Sequence, residues 1–148
     1  MPLIIVASAI FFNLINAGLN GYFLAYFENY TLSSFAKWNF FLGIILFLAG
    51  FIINQISDHK LIHLRKPNET GYKIPKGFLF NYISCPNLFG ELLQWSGFAI
   101  MAWNLPALTF LVWTCANLLP RATKHHQWYK SRFPDYPKKR KAIFPGLL

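Results

Sequence analysis

The chain has 148 residues, a length that suits one domain, and 55% of them are hydrophobic while only 13% are charged, about half the usual charged share of a soluble globule. It carries 14 Lys and Arg against 5 Asp and Glu, for a net charge of +9. The cations are confined to two segments without interleaved basic–aromatic recognition motifs, which excludes a nucleic-acid binder and leaves a membrane protein as the class.

The opening "MPLIIVASAIFFNLINAGL" lacks the positive n-region of a signal peptide and reads as a retained span. Four apolar stretches, roughly 3–26, 38–56, 87–104 and 105–122, each approach the ~20 helical residues that cross about 30 Å of hydrocarbon. The expected fold is therefore all-α: an integral membrane bundle of about four transmembrane helices, with residues 1–148 forming a single membrane domain. The second and third spans are separated by "SDHKLIHLRKPNETGYKIPKGF", a polar loop broken by Pro67, Gly71, Pro75 and Gly77. The third and fourth are split by "WNLPAL", where Asn104 can cap a helix and Pro106 fits its first turn, predicting a tight helical hairpin. The two cysteines, Cys85 and Cys115, offer neither a disulfide framework nor a CxxC metal pair.

Charge sets the expected topology. Lys60, Arg65, Lys66, Lys73 and Lys76 lie in one loop, eight more Lys and Arg lie in 121–141, and Lys37 stands apart. The positive-inside rule places both basic segments, and with four spans both termini, in the cytosol. That topology weighs against glycosylation at Asn68, and Asn29, on the other side, lies too close to the bilayer for it.

Polar groups within the spans carry the chemistry. Charged groups at mid-span cost about 2.5–3.5 kcal/mol or more, so they face a cavity or a partner. Asn54 and Asp58 are four apart, with Arg65 seven beyond. Asn87 and Glu91 are four apart, and Arg121, His125 and Tyr129 follow at i, i+4 and i+8. Each set shares a helix face, and all lie toward the same side. Interhelical hydrogen bonds and solvated helix ends account for any one pair. Three converging faces predict one pocket. Arg65, Lys73 and Arg121 suit a phosphate-bearing ligand, although an ordinary cytosolic positive belt explains most of the lysines. No GxGxxG or GxxxxGK[ST] motif is present. Asn13, Asn16 and Asn20 add a weaker stripe on the first span.

Histidine competes with this reading. His59 and His63 form an HxxxH pair and His125 and His126 are adjacent, but four histidines are too few for a membrane di-iron centre, so no metal is expected. The tail "KSRFPDYPKKRKAIFP" reads as an interfacial anchor, with Lys138 to Lys141 outside the bilayer.

Taken together, "INQISDHKLIHLRKP", "GYKIPKGFLFNYISCPNLFGELLQW", "NLLPRATKHHQWY" and "FPDYPKKRKAIFP" resemble the C-terminal part of the steroid 5α-reductase family. The resemblance runs from "GLNGYFLAYF" to the C-terminus. It implies the C-terminal part of a seven-helix reductase of the endoplasmic reticulum membrane. The cofactor would be NADPH, and the substrate a Δ4-3-oxosteroid or other lipid enone reduced by hydride transfer. Carried over residue by residue, it implies that Asn54, Asp58, Arg65, Tyr72, Lys73, Asn87, Glu91, Arg121, His125 and Tyr129 hold the cofactor. Many members have Arg where this chain has Lys73, human-type members have a second Gly where Phe78 stands, and "FPGLL" departs from the usual "IPF".

In the family, the tyrosine–glutamate pair that polarises the carbonyl belongs to helices preceding the matched region. The resemblance thus implies that the catalytic pair is upstream and that this chain alone has little or no reductase activity. Reduction of a trans-2-enoyl-CoA or a polyprenol is the same-chemistry alternative. A non-catalytic membrane remnant that binds cofactor is the alternative of another class.

Overall fold

The structure, a computed structural model, describes residues 3–27, 31–65 and 69–146. The expectations about Asn29 and Asn68, and the breaker Pro67, fall outside the described residues. Among those described there are four α-helices: α1 (Leu3–Tyr26), α2 (Trp38–Ile62), α3 (Pro86–Ala102) and α4 (Leu105–Arg132). Short 3₁₀ turns at Leu32–Ala36 and Phe78–Asn81 lead into α2 and toward α3.

The all-α expectation holds, with different boundaries. The second span extends to Ile62, and α4 runs ten residues past its expected end as a polar helix to Arg132. Among the described residues, α2 is the one helix that by length and composition is long and apolar enough to cross a membrane. The 17 residues of α3 rise only about 26 Å, a little short of the hydrocarbon thickness. Large apolar side chains nevertheless point outward along the other helices, such as Leu14 on α1 and Val112 on α4.

Helices α2 and α3 form the frame. They run antiparallel, because Gly43 meets Met101 while Gly50 meets Gln94 and Asn54 meets Gly90. Side chains would keep these backbones apart; glycine removes the obstacle. A methyl at Gly90 would lie 2.5 Å from the Asn54 backbone nitrogen and 2.7 Å from the Gly50 carbonyl oxygen. In lipid, where tails are as apolar as leucine, such close van der Waals approach is what holds helices together. Asn39 adds a cross-link, donating to the Ile100 carbonyl at 3.2 Å.

The α3–α4 turn forms as the sequence predicts. The Asn104 side chain accepts from the Ala107 backbone N–H at 3.0 Å, and proline occupies the first turn. Trp103 ends α3 in the left-handed region, φ 49°. Helix α1 packs on α4 through Phe12, stacked on Phe110 and Trp113 with ring centroids 6.2 and 5.4 Å away. A buried cluster of Cys85, Leu88, Leu92, Leu118, Ala122 and Ile143 joins α3, α4 and the C-terminal segment.

Candidate functional site

The tight glycine contact brings the end of α2 against the start of α3. Asn54 and Asp58, one turn apart on α2, therefore both face Asn87. The Asn54 Nδ2 donates to the Asn87 backbone oxygen at 3.1 Å, and the Asn87 Nδ2 donates to Asp58 Oδ1 at 3.1 Å. Glu91 lies one turn further along α3, half-buried, with Arg121 and Asp58 as the charged groups acting on it. On α4 the i, i+4, i+8 spacing aligns Arg121, His125 and Tyr129 on the facing side.

A cavity of about 330 Å³ opens between these helices, lined by Leu61, Ser84, Cys85, Asn87, Leu88, Arg121, His125 and Tyr129. Arg121 and His125 also line a second cleft of about 600 Å³, with Asn117, Lys124 and Trp128. Of the ten residues expected from the sequence, Asn87, Arg121, His125 and Tyr129 meet at the cavity. Asn54 and Asp58 stand behind Asn87 and hold it.

The three loop residues are placed elsewhere. Arg65, Tyr72 and Lys73 are exposed. The Arg65 guanidinium lies 5.9 Å from the Tyr72 ring centroid and reaches the Gly71 carbonyl at 3.5 Å. Tyr72 packs edge-on against Trp128 of α4, 4.9 Å between centroids, which tethers the loop beside the larger cleft. Lys73 is ion-paired with Glu69. His59 and His63 pack against each other with tilted rings at the exposed end of α2, 4.1 Å between centroids.

The C-terminal segment departs from the expected interfacial anchor. Lys138, Lys139 and Lys141 are exposed, but Tyr136, Arg140, Ala142 and Ile143 are buried. Residues 133–146 fold back as a strap that pairs in parallel with the lead-in to α3. Ser84 N–H donates to the Lys141 oxygen at 2.8 Å, Cys85 N–H to the Ala142 oxygen at 3.1 Å, and Lys141 N–H to the Tyr82 oxygen at 3.0 Å. The reason is hydrogen-bond completion: a buried lead-in has backbone donors that need acceptors. Arg140 is 4% exposed and lies over the Tyr136 ring at 5.3 Å; its Nε and Nη1 find no hydrogen-bond partner among the described residues.

Ser84, His126 and Tyr136 form a cluster that the sequence reading missed. The Ser84 Oγ is 2.6 Å from His126 Nδ1, 2.6 Å from the Tyr136 hydroxyl, and 3.1 Å from the Lys141 oxygen. The only sequence signals were the second His of "HH" and the aromatic of "FPDYP". Burial, with the charges of Lys130 and Lys141, lowers the His126 pKa below its ordinary 6.5. Burial also raises Tyr129 above 10.0, with Cys85 and Tyr136 adding and Arg140 opposing, and pushes the Cys85 thiol up to about 12. At neutral pH the cavity wall therefore presents neutral hydroxyl and thiol groups beside the Arg121 cation, an arrangement that can bind an anionic ligand rich in hydrogen-bonding atoms.

Comparison with known proteins identifies the family of the chain. A family model for 3-oxo-5-alpha-steroid 4-dehydrogenase matches residues 1–148. Steroid 5-alpha-reductase DET2 of Solanum lycopersicum is 44% identical over 147 residues, covering 99% of this chain and 57% of the relative. The 3-oxo-5-alpha-steroid 4-dehydrogenase 1 of Rattus norvegicus is 48% identical over 134 residues, covering 85% of this chain and 52% of the relative. The Homo sapiens protein of the same name is 42% identical over 148 residues, covering 100% and 57%. The chain thus spans little more than half the length of the curated relatives it matches, and corresponds to their C-terminal part. It belongs to the 3-oxo-5-alpha-steroid 4-dehydrogenase family.

Proposed function

We propose that this chain holds NADPH for the reduction of the Δ4 double bond of a 3-oxosteroid, by hydride transfer to the enone. The observation that carries the reading is the cavity where Asn87, Arg121, His125 and Tyr129 converge from two helices. The residues fit such a cofactor. A guanidinium beside amide, imidazole, hydroxyl and phenol groups matches phosphate joined to ribose and carboxamide, and the adjoining cleft shares Arg121 and His125. When bound, NADPH supplies the hydride.

Each side chain then has a definite task. Arg121 neutralises phosphate, and His125 and Tyr129 give hydrogen bonds along the same face. Asn87, its amide donated to Asp58, keeps its Oδ1 free to accept from a carboxamide. Lys124 and the Arg65–Tyr72 pair add charge and stacking at the outer cleft. On the other half of α4, a groove of about 470 Å³ between α1 and α4 is walled by Phe12, Phe110 and Trp113. Rigid aromatic walls suit a flat fused-ring enone better than a flexible acyl chain. Trp113 precedes Arg121 by two turns, about 12 Å along the axis. We place the protein in the endoplasmic reticulum membrane, with the basic segments, the cavity and both termini on the cytosolic side.

Titrating the purified protein in nanodiscs with NADPH, followed by nucleotide fluorescence, tests the reading. Saturable binding weakened about tenfold or more by Arg121→Ala and Asn87→Ala is expected, since each removes a direct ligand contact. No saturable binding, or binding indifferent to both variants, would overturn it. NADPH consumption with an enoyl-CoA or a polyprenol, but not with a Δ4-3-oxosteroid, would overturn the choice of substrate.

A further inference from the structure

Tyr129 reaches the cavity from the last turns of α4, where Trp128 meets its ring edge-on at 5.2 Å and Phe133, at the helix cap, stacks on it at 6.1 Å. From the strap, Tyr136 stacks on the same ring nearly parallel, with 5.4 Å between centroids and 11° between planes. Tyr136 is itself 6% exposed, and its hydroxyl is held by Ser84. Ser84 is buried, lines the same cavity, and also meets His126 one turn before Lys130 on α4. Three elements thus converge on one serine oxygen: the lead-in to α3, helix α4 and the strap.

The donor accounting closes. The Tyr136 hydroxyl donates to the Ser84 Oγ, and the Ser84 hydroxyl donates to the neutral His126 Nδ1, leaving the proton on Nε2. The longer 3.1 Å approach to the Lys141 oxygen is then a shared, weaker contact. No member of the set is left unsatisfied, which is the condition for a buried polar network to rigidify its surroundings rather than loosen them.

We infer that Ser84, His126 and Tyr136 are positioning residues that lock the 133–146 strap against the cavity and set the plane of Tyr129 toward the ligand. The inference rests on the cofactor reading above for what the ligand is, but the lock itself is a property of this chain alone. Cys85 reports on it independently. The residue is 5% exposed, it lines the cavity, and its backbone N–H is bonded to the strap. Loosening the strap uncovers the thiol.

Two measurements on the full chain in nanodiscs test the lock. In the first, Tyr136→Phe removes one hydroxyl, and the network geometry predicts NADPH binding weakened about fivefold. Tyr129→Phe weakens it similarly, and the double variant is no weaker than Tyr129→Phe alone, because Tyr136 acts through Tyr129. Independent, multiplying effects, or an unchanged affinity in Tyr136→Phe, would overturn the inference.

In the second, alkylation of Cys85 by N-ethylmaleimide is followed by peptide mapping, which separates it from Cys115. Ser84→Ala and His126→Leu accelerate it several-fold, His126→Asn restores slow labelling by keeping an acceptor near the Nδ1 position, and Lys138→Ala changes nothing. Equal rates in all variants would overturn the lock even where NADPH binds. Absence of NADPH binding by the unaltered chain would count against the cofactor reading alone, with alkylation still deciding the lock. Should Ser84→Ala fail to fold, Tyr136→Phe and the His126 pair give the same comparison.

Discussion

Asn87 gives its side-chain amide to Asp58 at 3.1 Å across the glycine-lined contact of α2 and α3, while its backbone oxygen takes the Asn54 amide at the same distance. Asn87→Ala leaves Asp58 without that donor, and a half-buried carboxylate stripped of a donor costs about 1–2 kcal/mol. Thermal unfolding in nanodiscs should show that loss. Adding Asp58→Ala to Asn87→Ala should cost less than the two single losses summed, because the second change removes the orphaned group.

Gly90 faces the backbone of α2. A methyl there would stand 2.5 Å from the Asn54 nitrogen, with no flexible side chain to give way. Gly90→Ala should therefore destabilise the bundle by about 3 kcal/mol, at the upper end for overpacking. It should also separate Asn54 from Asn87, so NADPH affinity falls with stability. Gly18, whose surroundings are open, should accept alanine without such a loss, and chemical denaturation of the two variants compares them directly.

Phe78 follows Gly77 with φ 54°, in the left-handed region that side chains avoid. The family resemblance implies a second glycine at this position, a residue that this backbone shape would suit. Elsewhere glycine is less stable than alanine by about 0.5–1 kcal/mol. At position 78 the order should reverse, with Phe78→Gly more stable than Phe78→Ala by about 1 kcal/mol. Melting temperatures of the two variants settle the order.

Acid and alkali should act at opposite ends of the strap contact. The unfolded His126 takes up a proton as pH falls through 6.5, while burial makes the folded imidazole resist to lower pH. The unfolded state then binds more protons, so the stability is complete above 6.5 and is lost as pH falls toward the folded value. Tyr129 reverses the sign: the unfolded phenol ionises at 10.0 and the folded one above it, so stability is lost as pH rises from 10.0 through the folded value. His126→Asn should flatten the acid limb of a melting-temperature profile, and Tyr129→Phe the alkaline limb.

The polar faces were legible because helical periodicity writes them into sequence. Asn54 with Asp58, and Arg121 with His125 and Tyr129, declare a shared face by spacing alone. The same spacing was available for Gly43 and Gly50, and for Gly90 and Gly97, each seven apart. Glycine carries no chemistry to attract attention, so the contact that assembles the site went unread. Ser84, His126 and Tyr136 were out of reach for another reason. His126 and Tyr136 lie 42 and 52 positions from Ser84, and Ser84 and Tyr136 sit on irregular backbone, which has no period. Lys73 shows the limit of counting cations, because its charge is matched locally by Glu69.

The parallel pairing of Ile83 with Lys141 fixes the order in which the molecule can be completed. Ser84 and its Lys141 acceptor are separated by 57 positions, so the lead-in to α3 is synthesised well before the strap that seals it. Until then the Ser84 and Cys85 amides and the thiol are open to water and to chaperones. The nascent chain is thus most vulnerable at the residues that later form the most enclosed wall of the mature pocket.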